Sequence, residues 1–290
     1  MKLILGTVQM GLNYGINNST GKISVRKAIE ILEYAYESGI RVLDTAEVYG
    51  NAHQVIGIYH KANPSCKFEI ITKIPKNIFD HEIERRISEY LNELHINEIR
   101  LLMYHDFNNY IERHTKNSQV IEEIRKIGSI KKIGVSLYTN LQIETLLNEL
   151  GPIDVIQMPY NLLDNLYQRE AVLKKMRLAG IHIHTRSPFL QGIFFMPKDS
   201  SHVIYRALRP FLKELETIAD DAGLSLYELA LQYSYFNPLS DAVIMGVDSL
   251  DHLKLNLAAI SKKMIESDIW TRIDTIAVSN PELLNPSLWK

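Results

Sequence analysis

Side chains able to move a proton fall at or just beyond the ends of consecutive apolar runs. In RVLDTAEVYG, Asp44 closes the short run from Arg41 to Leu43, and Tyr49 follows five positions later on a loop. EIITK ends in Lys73, and RLLMYH ends in His105. Such a set suits proton donation to an oxygen. A free phenol, with a pKa of about 10, is a weak acid at neutral pH. A neighbouring ammonium, Lys73, would stabilise the phenolate and lower that pKa. Asp44 would pair with Lys73 and keep it charged, while His105 would hydrogen-bond the oxygen being protonated. Donation of this kind is what a carbonyl needs while its carbon receives hydride. No side chain gives hydride, so a cofactor is implied. Singly, each residue has a plainer explanation: a strand-end Asp as a cap, a loop Tyr as half-buried packing, a Lys as surface charge. Their joint placement is what points to chemistry.

These residues meet only if the elements bearing them are neighbours. Eight short apolar runs alternate with helical patterns: KLILGTV, IRVLDTA, KFEIITKI, EIRLLMYH, IKKIGVS, IDVIQMPY, IHIHTRSP and DAVIMG. The runs are continuously apolar, as parallel strands covered on both faces should be. Among the helical segments, Ser24 is placed to cap one that shows Ala28, Ile31, Leu32 and Ala35 on one face, with Gly39 ending it. FDHEIERRISEYLNELHI, QVIEEIRKIG and LQIETLLNEL read as helices. A long helical region covers roughly 201–235, two more stretches follow near 249–260 and 267–278, and the tail SNPELLNPSLWK is short and irregular. The pattern predicts an α/β chain folded as a single (β/α)8 TIM barrel over residues 1–290 with a short C-terminal tail. A doubly wound sheet is disfavoured because Gly6, Gly11 and Gly15 do not make G-x-G-x-x-G. In a barrel the C-terminal strand ends carry the reactive groups, so strands two, three and four would bring Asp44, Lys73, His105 and the loop residue Tyr49 to one side of the mouth.

Composition narrows the partners. With 290 residues and a formal net charge of -2, the chain has no global field for nucleic acid or an anionic membrane. No apolar run reaches bilayer length, and MKLILGTVQMG reads as a first strand and not a signal peptide. The one cysteine, Cys66, forms no internal disulfide, consistent with a cytoplasmic location. Nothing in the sequence sets an oligomeric state.

LDTAEVYG, ITK and the His of MYHD, in that order and spacing, resemble the aldo-keto reductase family over nearly the whole chain. The resemblance implies a (β/α)8 barrel, NADPH or NADH bound without a Rossmann motif, a small carbonyl substrate, and a catalytic tetrad of Asp44, Tyr49, Lys73 and His105 with Tyr49 as general acid. It also implies cofactor positions. LGTVQMG is similar to the family's first strand, making Gly6, Thr7 and Gln9 candidates for the pocket floor. IGVS and IQMPYN suggest Ser136 and Gln157 at the carboxamide, with Asn161 nearby; Leu137 stands where the family has Asn. HTRSPFLQG suggests Ser187, Phe189 and Gly192 around the pyrophosphate. The residue before that Ser, commonly an aromatic stacked on nicotinamide, is Arg186, a planar cation that also stacks. IMGVDSLDHLKLNL is similar to the adenosine-reading region, giving Gly246, Ser249, His252 and Asn256. Asp248 stands where a basic residue usually meets the 2′-phosphate, so NADH should compete better than in most relatives.

Other readings are weaker. His182 and His184 lie two apart on one strand but have no surrounding ligand set, so no metal is expected. Tyr104, His105 and Asp106 lack a G-x-S-x-G elbow for a hydrolase. Lys73 paired with Asp44 would stay protonated, unlike a Schiff-base lysine. Phe194, Phe195 and Met196 would cover the cofactor, line the substrate mouth or simply pack. Tyr14, Tyr49, Phe107, Tyr138 and Trp289 are candidates to face a substrate, and the brief tail would leave room for a sugar or sugar derivative. The competing function is a dinucleotide-binding regulatory subunit with low turnover.

Overall fold

Side chains two apart on a strand share a face, and this alternation decides which residues can meet. A computed structural model describes residues 1–18, 20–76, 78, 80–126, 128–149, 153–262 and 264–289. Strands β1 (Leu3–Gly6), β2 (Val42–Asp44), β3 (Glu69–Ile74), β4 (Ile99–Tyr104), β5 (Ile130–Ser136), β6 (Val155–Pro159), β7 (His182–Arg186) and β8 (Ala242–Gly246) pair in that order, all parallel. β8 pairs back onto β1, closing the barrel expected from the sequence. Ile4, Ile71, Leu101, Met103, Val155, Ala242 and Ile244 fill its interior. The alternate strand residues Leu3, Leu5, Leu43, Ile70, Leu102 and Ile183 face outward into the layer under the helices. The inward series, followed to the C-terminal rim, selects Gly6, Asp44, Lys73, Ser136, Gln157, Arg186 and Gly246. Register keeps them level: Gly6 lies opposite both Asp44 and Gly246, and Ser136 lies opposite Gln157.

Helices fill the crossovers. α1 (Val8–Gly11) is one turn directly after β1. α2 (Val25–Glu37) buries Ala28, Ile31, Leu32 and Ala35, begins where the Ser24 hydroxyl accepts from the Lys27 N–H, and ends before Gly39 at φ 89°. α3 (Ala52–Ala62), α4 (Ile83–Leu94), α5 (Phe107–Lys126), α6 (Asn140–Glu149) and α7 (Leu166–Leu178) follow their strands. α5 starts well before the expected Gln119, because the Asp106 carboxylate accepts the Asn109 N–H (3.0 Å) and opens the helix early. The positions Phe79, Ile127 and Leu150, assigned to helices from the sequence, lie outside the described residues.

The long helical region after β7 is two helices, α8 (Val203–Asp221) and α9 (Leu226–Phe236). Gly223 at φ 65° ends the first, and Ser225 with Glu228 forms a capping box that starts the second. α10 (Leu250–Ser261) and α11 (Ser267–Asp274) complete the set. The tail forms two short turns, Pro281–Leu284 and Pro286–Leu288. Among the described residues no helix is long and apolar enough to cross a membrane.

Candidate active site

Lys73, the next inward residue after Ile71 on β3, is fully buried inside the barrel. Its ammonium donates to Asp44 Oδ1 (2.6 Å) and to the Thr45 carbonyl (3.0 Å). The other carboxylate oxygen of Asp44 accepts from Gln157 Nε2 (2.8 Å). Thr7 donates through both N–H and hydroxyl to the Asp44 carbonyl, each at 3.0 Å. Asp44 is therefore fixed from β1, β3 and β6 together. Gln157, expected at the carboxamide of a cofactor, lines the cavity and gives its amide to Asp44 and, at 3.6 Å, to the Met103 sulfur.

Tyr49 reaches this pair from the loop after β2. Its ring centroid lies 5.2 Å from the Lys73 ammonium and 5.8 Å from the His105 ring, edge to face. The loop is held by close backbone approach. A Cβ on Gly11 would stand 1.7 Å from the Tyr49 carbonyl oxygen, and one on Gly50 (φ 58°) would stand 2.4 Å from the Gly11 carbonyl oxygen. Only glycine at these two positions lets the turn after β1 support the Tyr49 loop. Asp44, Tyr49, Lys73 and His105 thus form one cluster, as their spacing predicts.

The electrostatics differ from expectation at one point. The Tyr49 phenol is raised above its ordinary pKa, by burial first and by the Asp44 charge second, against a lowering by the Arg186 cation. Desolvation outweighs the Arg186 cation, so the phenol holds its proton. Burial pulls the Lys73 ammonium down, opposed by the charge and hydrogen bond of Asp44. Burial, helped by Lys73 and Arg186, lowers His105 to about 3, so its ring is neutral at ordinary pH.

A cavity of about 420 Å³ opens over the cluster. Asp44 and Tyr49 line it; Lys73 and His105 stand behind them and do not. From the predicted cofactor set, Gly6, Thr7, Gln157, Arg186, Ser187 and Phe189 line one part of the wall. Gly192, Gly246, Asp248, His252 and Asn256 line the rest. Ser136 and Ser249 do not. Ser136 is buried in the barrel wall opposite Gln157, and Ser249 caps α10 by accepting from the His252 N–H (3.1 Å). Asn161 is also behind the wall, donating to the Ser187 carbonyl (3.2 Å). Of the aromatic candidates for substrate, Tyr14 and Tyr49 line the cavity. Phe107 and Trp289 pack against the core, and Tyr138 borders a neighbouring cavity of about 280 Å³. Phe195 lines the main cavity, whereas Phe194 is core.

Several wall residues were not foreseen. Gln191 and Asn17 tie two loops together over the cavity: Gln191 Nε2 donates to the Tyr14 hydroxyl (3.2 Å), and Asn17 Nδ2 donates to the Phe195 carbonyl (3.3 Å). Tyr227, on α9, stacks on Phe189 (4.9 Å between centroids) and donates to Asn256 Oδ1. No local motif marks Tyr227, because its place depends on packing between distant helices.

The wall has groups that fit a dinucleotide. Gln9 Oε1 and Asp248 Oδ1 are buried acceptors without a partner, and the Gln9 amide hydrogen-bonds Asp248. The Gln9 side chain lies directly over Gly246, where an added Cβ would meet its amide at 2.6 Å. The loop from Ser187 to Gly192 holds Ser187, Leu190 and Gln191 at positive φ, with the Leu190 and Gly192 N–H groups donated to the Ser187 and Phe189 carbonyls (3.0 and 2.8 Å). Among the described residues no cluster of three or more His, Cys, Asp or Glu is arranged to hold a metal ion.

Comparison with known proteins agrees with this geometry. The model of the aldo/keto reductase family matches residues 2–278. A probable aldo-keto reductase of Glycine max is 25% identical, aligning 95% of this chain with 86% of its own length. The L-galactose dehydrogenase of Arabidopsis thaliana is 24% identical over 83% of this chain and 80% of its length. Among solved structures, an aldo-keto reductase from Bacillus halodurans in its holo form superposes with a TM-score of 0.77 at 22% identity, covering 96% of this chain and 93% of that one. A closed parallel barrel, a polar cluster at its C-terminal rim and a family match over almost every residue converge: the chain belongs to the aldo/keto reductase family and is an oxidoreductase acting on small carbonyl compounds with a nicotinamide cofactor.

Proposed function

We propose that this enzyme interconverts a small aldehyde or ketone and its alcohol, with Tyr49 giving the proton to the carbonyl oxygen. The observation that carries this reading is the phenol set against a buried Lys73–Asp44 pair in the wall of a cavity fit for a dinucleotide. The cofactor, when bound, supplies the hydride. The chain does the rest. Tyr49 stays protonated until the substrate oxygen gains negative charge, and then releases its proton to that stronger base. The Lys73–Asp44 pair places a fixed ammonium beside the phenol, where it offsets the phenolate as it forms. Neutral His105, edge to face with the Tyr49 ring, holds the phenol in position. Asp44, held by Gln157 and Thr7, keeps Lys73 in place. The same groups serve alcohol oxidation in reverse.

NADH is the cofactor that fits the adenosine end. The orphaned acceptors Gln9 Oε1 and Asp248 Oδ1 suit the donor hydroxyls of an unphosphorylated ribose, and a carboxylate repels a 2′-phosphate. A polyhydroxylated substrate is favoured by the likeness to the L-galactose dehydrogenase of Arabidopsis thaliana.

The test is to follow oxidation of NADH and NADPH with a panel of aldehydes, ketones and aldoses. Turnover should appear with at least one carbonyl, and kcat/KM should favour NADH. Absence of turnover with every compound in both directions would sink the reading. A preference for NADPH above about 100-fold, or roughly 2.7 kcal/mol, would remove the role given to Asp248.

A further inference from the structure

Arg186 is a half-buried cation in the cavity wall. Its guanidinium lies 4.2 Å over the Tyr138 ring, and its hydrogen bonds go to neutral oxygens, the Leu137 carbonyl (3.3 Å) and the Ser187 hydroxyl (3.5 Å). Among the described residues no carboxylate pairs with it. The other charges nearby cancel or vanish: Lys73 is paired with Asp44, while Tyr49 and His105 are neutral. The Arg186 charge is felt at Tyr14, Tyr49, Lys73 and His105, which sets it beside the reacting centre.

Hydride and proton must reach one carbonyl, so the nicotinamide has to lie next to Tyr49 and within the field of Arg186. In reduction, a hydride with its two electrons leaves the ring for the carbonyl carbon, the oxygen takes the Tyr49 proton, and the ring becomes cationic. In oxidation, the alcohol carbon returns the hydride and its hydroxyl proton goes to the Tyr49 phenolate. The ring alone changes its charge between the two cofactor forms. We propose that Arg186 sets the redox preference of the site: its unbalanced charge holds the reduced, uncharged nicotinamide more tightly than the oxidised, cationic one. This rests on the reading of the cavity as a dinucleotide site. Its consequence is that the equilibrium among bound species is drawn toward NADH, so the protein is built to oxidise its alcohol as readily as to reduce its carbonyl.

The experiment measures dissociation constants of NAD+ and NADH by quenching of protein fluorescence, for wild type, Arg186→Gln and Arg186→Lys. Melting curves confirm that each variant is folded. The ratio Kd(NAD+)/Kd(NADH) should exceed one in the wild type and fall about tenfold in Arg186→Gln, equivalent to about 30 mV for a two-electron couple. Arg186→Lys, which keeps the charge, should stay close to wild type. A ratio unchanged in Arg186→Gln would overturn the proposal, as would a wild type that binds NAD+ more tightly than NADH, whatever the variants do. Binding of neither form would overturn the dinucleotide reading itself, and this inference with it.

Discussion

Tyr49 shows how far a residue's identity and its state can diverge. Its place after an Asp-ended strand is legible in the sequence; its pKa is not, because that depends on how much solvent the fold removes. Burial raises the phenol instead of lowering it. The sign for activity follows directly. Reduction needs the protonated phenol, so kcat/KM for reduction should stay level as pH rises through neutrality to at least about 10, the ordinary phenol value. Oxidation needs the phenolate and should climb with pH over that range. A reduction profile that falls with an apparent pKa well below that value would contradict this. The Lys73–Asp44 pair gives a second prediction. Lys73→Met leaves a buried carboxylate without its cation, which costs about 3–5 kcal/mol, whereas adding Asp44→Asn should recover part of that loss. Urea denaturation of the single and double variants checks it, and a single variant as stable as wild type would show that the pair carries little charge. Gln157 is a similar lesson: its position on β6 follows from the pattern, but its bond to Asp44 becomes visible only when three strands close around one carboxylate.

At the level of elements, two loops decide whether the phenol arrives. The turn after β1 and the loop carrying Tyr49 touch through Gly11 and Gly50, with no room for a side chain between them. Gly11→Ala must displace the Tyr49 backbone. A shift of about 1 Å in a reacting group costs on the order of 100-fold in rate. The expected result is a matching loss of kcat with a much smaller change in dinucleotide affinity. Equal kcat in the variant would mean that the loop relaxes without moving the phenol. Element types were readable because parallel strands are continuously apolar and helices show one buried face. Boundaries were less so. The break between α8 and α9 is written in Gly223 and Ser225, yet the apolar pattern runs on across it. The bridge from Tyr14 and Asn17 to the loop after β7 joins segments far apart in sequence, and no spacing rule predicts it.

For the whole molecule, barrel closure turns a list of strand ends into a site. Alternation inside a closed sheet leaves few inward positions at the rim: Asp44 and Lys73 follow from the strand ends, whereas Gly6, Gln157, Arg186 and Gly246 were legible only through the family resemblance of the motifs that carry them. Ser136 and Ser249 do not line the cavity, because matching a motif does not say which atoms are covered by neighbouring elements. Closure also buries histidines. His53 and His184, 4% and 9% exposed, are each lowered to about 4, with burial the first cause. Unfolded, both would titrate near 6.5. The unfolded chain therefore binds more protons between these values, and stability falls as pH drops from about 6.5 toward 4, by up to about 1.4 kcal/mol per pH unit for each ring. Denaturation midpoints across that range should show the slope, and His184→Leu should lessen it without removing it; a flat wild-type profile would mean that these rings are wet. The claim on which the account rests is that the Tyr49 hydroxyl supplies the proton next to a bound dinucleotide. It is tested most directly by Tyr49→Phe, with turnover and NADH affinity measured on the same preparation. The account predicts that kcat falls by about 10²–10⁴-fold while affinity stays near wild type. Undiminished turnover would contradict it.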